Sequence, residues 1–221
     1  MNRESYDVRR APTAVPVDGH WEGAAWKDVP ALAIARPMGE RPPHHPDTRA
    51  KLLLEPDALQ IIFRVEDRHV RSVHGHQEAV CRDSCVEFFF VPGTDLGDGY
   101  FNLETNCGGH MLFHHQLVPR GPAVTISRED CDRIALHHSM PSTVEPEIPG
   151  PVVWTLQYRL PLEILSHYAP VTHPEPGVRW RANFYKCADR TSHPHWLTWS
   201  IVHRPQPDFH VPEDFGELVF V

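Results

Sequence analysis

The chain has 221 residues, 41% of them hydrophobic and 23% charged, with a formal net charge of -8. That length buries a core without disulfide staples and suits one β-rich domain. The acidic balance argues against nucleic-acid and anionic-membrane partners, which demand clustered Lys and Arg, and no apolar run approaches the length of a membrane span.

Residues 1–16 carry no apolar leader segment and read as an N-terminal extension, with a single domain over 17–221. Residues 48–55 and 58–67 are strand-like and flank Pro56-Asp57, a turn signal, so they read as a hairpin. In the second of them Leu59, Ile61, Phe63 and Val65 alternate with Gln60, Ile62, Arg64 and Glu66, the period-two pattern of a half-buried strand. Residues 84–91 form another strand, with Cys85, Glu87 and Phe89 on one face and Val86, Phe88 and Phe90 on the other. The acidic, glycine-rich loop 92–99 leads into strands at 100–107 and 110–116, joined by Gly108-Gly109, and 134–138 is a weaker strand.

Residues 137–151 are proline-rich and read as a surface loop. The clearest alternation follows at 152–160, with Val152, Trp154, Leu156, Tyr158 and Leu160 on one side. Pro161 suits the start of a short helix over 161–168, the one helix expected. Strands over 178–188 and 216–221 close the chain. Many short strands, turn signals between them and no βα alternation define an all-β fold, a two-sheet antiparallel β-sandwich of immunoglobulin-like or jelly-roll-like type with one short helix.

The five cysteines, Cys81, Cys85, Cys107, Cys131 and Cys187, are odd in number and irregular in spacing. They read as reduced core thiols, which with the missing leader points to the cytoplasm, or to the periplasm or exterior if a leader has been removed.

Several segments together resemble the family 9 carbohydrate-binding modules. They are Asp18, Gly19, Trp21 and Trp26 near the start, then Phe63-Arg64-Val65-Glu66-Asp67, then Arg82-Asp83-Ser84-Cys85-Val86-Glu87-Phe88-Phe89. Tyr100 to Asn106, Asn183-Phe184-Tyr185-Lys186, Trp199-Ser200 and the closing run from Pro207 to Leu218 complete the set. The resemblance implies a non-catalytic β-sandwich that binds the end of a mono- or oligosaccharide between aromatic rings, with polar groups on the sugar hydroxyls and calcium supporting the loops. Carried onto this sequence, it implies a ligand-facing set of Glu87, Glu104, Asn106, Tyr185 or Lys186, with Phe209 as one aromatic wall. Where the family places the opposite ring, this chain has Val80-Cys81-Arg82, so Trp196 is the candidate for that wall.

The chemistry of these residue types agrees. Sugars offer apolar ring faces to aromatic side chains and hydroxyls to carboxylates, amides and cations. Phe209 and its neighbour His210 lie in a proline-rich segment that cannot be a central strand, a placement suited to contact. Trp154, Trp180 and Trp26 read instead as core. Glu87 and Glu104 sit in otherwise apolar strands, where a carboxylate needs a partner: a sugar, a cation such as Lys186 or Arg82, or a second carboxylate as a glycosidase pair. Asp95 and Asp98 offer hard oxygen ligands for calcium, and Asp67 is similar. Among the 17 histidines, His74 with His76 and His193 with His195 have the i,i+2 spacing of a shared metal. A haem held by histidine and Met111 is a weaker alternative, there being no C-x-x-C-H. No nucleotide-binding loop or nucleophile elbow occurs. Arg190 and Arg204 are isolated cations that could meet an acidic sugar. The partners expected are a carbohydrate and a separate glycoside hydrolase. A carbohydrate-active enzyme and a haem- or metal-binding sandwich are the competing readings.

Overall fold

The computed structural model describes residues 3–221. Its sixteen strands are β1 (Ser5–Arg10), β2 (Leu32–Ala33), β3 (Arg36–Pro37), β4 (Asp47–Leu54), β5 (Ala58–Asp67), β6 (Val70–Ser72), β7 (Cys85–Val91) and β8 (Tyr100–Asn106). There follow β9 (Met111–Gln116), β10 (Ala123–Thr125), β11 (Ala135–His138), β12 (Val144–Ile148), β13 (Val152–Pro161), β14 (Arg179–Cys187), β15 (Trp196–Thr198) and β16 (Gly216–Phe220). Two five-residue helices are present, α1 (Arg128–Asp132) and α2 (Leu162–Ser166). No helix among the described residues is long and apolar enough to cross a membrane.

Fourteen strands form one continuous, curled sheet in the order β10-β9-β8-β7-β14-β16-β1-β4-β5-β13-β11, with β15, β3 and β2 off this path. β12 and β6 make a separate two-stranded ribbon. The fold is all-β as expected, but the sheet is mixed rather than purely antiparallel. The exception is β1, whose residues Ser5 to Val8 run parallel to β16 and whose Arg9 and Arg10 run parallel to β4. One strand thus hands the chain from one half of the sheet to the other, so residues set aside as an N-terminal extension contribute to the fold itself.

The two halves face each other across the main core. β7 supplies Val86, Phe88 and Phe90, β14 supplies Trp180, Ala182 and Phe184, and β5 and β13 supply Ile61, Phe63, Trp154 and Leu156 from the other side. Burial of each such large side chain contributes about 1.5–3 kcal/mol, so this layer outweighs any surface ion pair. Trp154 and Trp180 are fully buried, as their alternation requires, and Trp26 anchors a smaller cluster with Val15, Val29, Leu53 and Ile62. All five cysteines are free thiols.

Local signals explain the remaining differences. The helix expected over 161–168 is the single turn α2, with Pro161 at its N-cap. α1 was not anticipated; Ser127 caps it by accepting a hydrogen bond from the Asp130 amide. The proline-rich stretch 137–151 contains β12, whose Val144 and Ile148 pair with Ser72 and Val70 around an irregular register.

Candidate functional site

Period-two alternation on β7 sends Val86, Phe88 and Phe90 inward and turns Cys85, Glu87 and Phe89 to the outer face of that half-sheet. Register then sets the neighbours. Glu87 lies opposite Glu104 on β8 and opposite Tyr185 on β14, while Phe89 lies opposite Asn102 and Asn183. The segment from Pro207 to Val211 crosses over this face. The result is a cavity of about 280 Å³ lined by Glu87, Glu104 and Phe89 from the sheet, by Phe209, His210, Pro207 and Asp208 from the crossing segment, and by Cys81, Cys187, Asp189, Trp196 and Arg120 around the rest.

Its apolar walls are built in layers. Phe209 stacks on Tyr185 with ring centroids 4.1 Å apart and planes 11° apart. The Tyr185 hydroxyl donates to the Phe209 carbonyl at 3.0 Å, which fixes the segment as well as the ring. Phe89 meets both rings edge-on. Trp196 lines the same cavity, and its indole Nε1–H donates to Asp189 Oδ1 at 2.7 Å.

The polar wall is dominated by carboxylates. Glu87 Oε1 accepts from the Cys187 thiol at 3.0 Å, whereas Oε2 is buried and meets no donor among the described residues. Glu104 accepts from the Asn102 amide at 3.1 Å, and Asn102 in turn accepts from Gln116. Burial, reinforced by the charge of Glu104, pushes the Glu87 carboxyl well above the usual carboxylate range. Burial likewise raises Glu104 to about 7, against the opposing Asn102 hydrogen bond, and raises Asp189. Adjacent carboxylates in a poorly solvated site cannot both ionise cheaply, so near neutral pH this pair both donates and accepts hydrogen bonds.

His210 completes the wall. Burial lowers its imidazole to about 4, so it is neutral at physiological pH. The Tyr100 hydroxyl lies 2.7 Å from its Nδ1 and the Gln116 amide nitrogen, which can only donate, lies 3.4 Å from the same atom, so Nδ1 acts as the acceptor and Nε2 carries the ring proton. At the rim, Arg120 pairs with Asp208 at 2.8 Å.

Of the residues singled out from sequence, the fold brings together Glu87, Glu104, Trp196, Phe209 and His210. Tyr185 stands behind Phe209, fully buried. Asn106 and Lys186 lie elsewhere. Asn106 is fully buried where β8 ends; its amide donates to the His74 carbonyl and to Asp83, and its oxygen accepts from the His110 amide. Lys186 points to the opposite face of β14, where its ammonium lies 2.9 Å from the Cys187 carbonyl, 2.7 Å from His195 and 3.6 Å from Asp67. Burial alone would raise the Asp67 carboxyl, but Lys186 and the His44 hydrogen bond overcome it and hold the group far below the usual range. A lysine here serves a buried ion pair, not a ligand.

Asp95 uses one oxygen to cap the short turn Leu96–Asp98, and Asp98 accepts from His115 through its backbone carbonyl. Met111 packs in the main core. Neither Arg190 nor Arg204 lines the cavity; the cation there is Arg120. Asp189, Cys187, Asp208 and Arg120 were not anticipated. Asp189 carried one usable signal, its place two residues beyond β14 on the loop that returns as Trp196.

A sheet face covered by a crossing segment, an aromatic wall and carboxylates beside a neutral histidine define a ligand-binding β protein whose cleft offers both an apolar face and hydroxyl partners. Residues 26–220 match the family described as carbohydrate-binding family 9, and the chain belongs to that family. No curated protein matches the chain. Among solved structures, a protein from Bacteroides uniformis ATCC 8492, provisionally assigned as carbohydrate-binding, superposes with a TM-score of 0.87 at 27% identity over 100% of both chains. A family 9 module from Caldicellulosiruptor kristjanssonii in complex with cellotriose is similar with a TM-score of 0.67 at 14% identity, covering 98% of this chain and 93% of that one. The same organism's module in complex with glucose gives a TM-score of 0.66 at 14% identity, covering 99% and 96%. At that identity the two complexes share the fold.

Proposed function

We propose that the chain is a non-catalytic carbohydrate-binding module, with the curled sheet's two halves serving as the layers of a sandwich, and that it holds the terminal unit of a mono- or oligosaccharide in the cavity beside Phe209. The observation that carries this reading is one cavity containing two separate aromatic walls, Phe209 and Trp196, together with the hydrogen-bonding groups of Glu87, Glu104, Asp189 and His210. A sugar ring presents an apolar face to the rings while its hydroxyls donate to carboxylate oxygens and accept from His210 Nε2. Glu87 lines the cavity, and its Oε2 has no hydrogen-bond partner among the described residues. Trp196 takes the place of the aromatic that Val80-Cys81-Arg82 does not provide. The modules in complex with cellotriose and glucose make glucose and short glucans the first candidates, and a glycoside hydrolase acting on the same polymer is the partner this implies.

The paired carboxylates admit a glycosidase reading, since one of them is held protonated to higher pH. Glycosidase carboxyls flank the scissile bond from two sides. Glu87 and Glu104 are instead cross-strand neighbours on one wall, an arrangement suited to binding hydroxyls.

Isothermal titration with glucose, cellobiose, cellotriose and a panel of other mono- and oligosaccharides tests the proposal, with and without calcium so that the expected loop-supporting role of Asp95 and Asp98 is measured in the same experiment. Saturable binding of at least one sugar, lost in Trp196→Ala, is the expected result. Absence of binding across the panel, or sugar turnover abolished by Glu104→Gln, would overturn it.

A further inference from the structure

We propose that His69, Glu147 and His193 form a site for a zinc-class divalent transition metal, separate from the sugar cavity and independent of its assignment. The three come from three distant segments. His69 sits in the turn between β5 and β6, Glu147 on β12, and His193 on the loop between β14 and β15. The β6–β12 ribbon, in which Ile148 pairs with Val70, sets His69 beside Glu147. The loop is drawn to the same point by the Ser192 amide, which donates to Glu147 Oε2 at 2.9 Å.

The ligand atoms of His69, Glu147 and His193 all lie within 4.8 Å of one another. They also face one point. The Ser192 hydroxyl lies 2.8 Å from His193 Nδ1 and 3.3 Å from His69 Nδ1 and is hydrogen-bonded to Glu147 Oε1. Two imidazole nitrogens and one carboxylate oxygen are the donor set of three-ligand zinc sites, with metal bonds of about 2.0–2.2 Å and a fourth position left for water or a hydroxyl. The His69 and His193 rings are stacked, with centroids 3.7 Å apart and planes 18° apart. The i,i+2 pairing of His193 with His195 is not the one the fold uses. His195 is fully buried; its Nδ1 donates to the His193 carbonyl at 2.9 Å and thereby supports the ligand loop. Because that loop starts after Asp189 and ends at Trp196, an ion bound here would also stiffen one side of the cavity.

The test is titration of chelator-stripped full-length protein with Zn²⁺, repeated with Co²⁺ read by its visible d–d absorption, and with Ca²⁺ as the all-oxygen-seeking control. One equivalent of Zn²⁺ should bind, Co²⁺ should give the bands of a nitrogen-and-oxygen site, and Ca²⁺ should not compete. His69→Ala, His193→Ala and Glu147→Gln should each weaken Zn²⁺ binding at least tenfold. His173→Ala, a histidine paired with Glu175 at another surface, should leave it unchanged. Circular dichroism of each variant separates loss of a ligand from loss of fold, and Glu147→Gln preserves side-chain shape throughout. Zn²⁺ binding that is absent in the parent protein, or equal in the parent and the three variants, overturns the proposal, whatever the sugar titrations show.

Discussion

Tyr185 carries Phe209 in two ways at once: their rings stack at 4.1 Å, and the Tyr185 hydroxyl donates to the Phe209 carbonyl at 3.0 Å. A fully buried tyrosine on a central strand therefore positions a ring on a segment with no strand of its own. Tyr185→Phe keeps the stack and removes the hydrogen bond. It should cost about 1–2 kcal/mol of stability and weaken sugar binding several-fold. Phe209→Ala removes the wall itself and should reduce sugar affinity by about tenfold or more. Paired denaturant melts and titrations of the two variants check both, and sugar affinity unchanged in Phe209→Ala would place the ligand elsewhere.

Trp196 and Asn106 should behave in opposite ways. Trp196 is partly exposed, whereas Asn106 is fully buried and holds His74, Asp83 and His110 together. Trp196→Ala should abolish most sugar binding while shifting Tm by only a few degrees. Asn106→Ala should cost roughly 2–3 kcal/mol, the cost of stranding buried polar partners, and leave sugar affinity within about twofold. Thermal melts read beside titrations separate the two.

The carboxylate pair should make stability fall as pH rises. Glu104 is raised from 4.5 to about 7, so the folded state keeps a proton that the unfolded state releases. Below pH ~4.5 both states are protonated and nothing is lost. Between that pH and about 7 the folded state is penalised progressively, by up to about 3 kcal/mol. Glu104→Gln cannot ionise, so its Tm relative to the parent should climb from pH 5 to pH 8 in the absence of sugar. A difference independent of pH would mean that Glu104 is not held protonated.

Lys186 and Asp67 should be strongly coupled. Both side chains are fully buried, with 3.6 Å between ammonium and carboxylate. Lys186→Met leaves an uncompensated buried charge and should cost about 3–5 kcal/mol, whereas the double variant Lys186→Met/Asp67→Leu should recover most of it. A double-mutant cycle by urea unfolding measures the coupling.

The sequence alone determined the long central strands and their faces, because alternation has a period of two and side chains on a strand must follow it. That is why Glu87 and Phe89 could be placed together on one face of β7, why Trp154 and Trp180 could be assigned to the core, and why the ordered motifs already resembled the family that the match over 26–220 establishes. Tertiary structure decided what a one-dimensional pattern does not hold. Lys186 follows Tyr185 directly, yet one step along a strand turns it to the opposite face, where a buried aspartate awaits it. β1 is too polar to announce itself, and only its parallel pairing with β16 and β4 makes it part of the sheet. Asp189 and Trp196 enter the cavity because a loop closes on itself, and His69, Glu147 and His193 meet because a ribbon and that same loop bring them together from 124 positions of chain. Local propensity fixes where a residue points along its own strand; which distant residue it meets depends on how the two halves of the curled sheet and their loops pack, and that is set by the core as a whole.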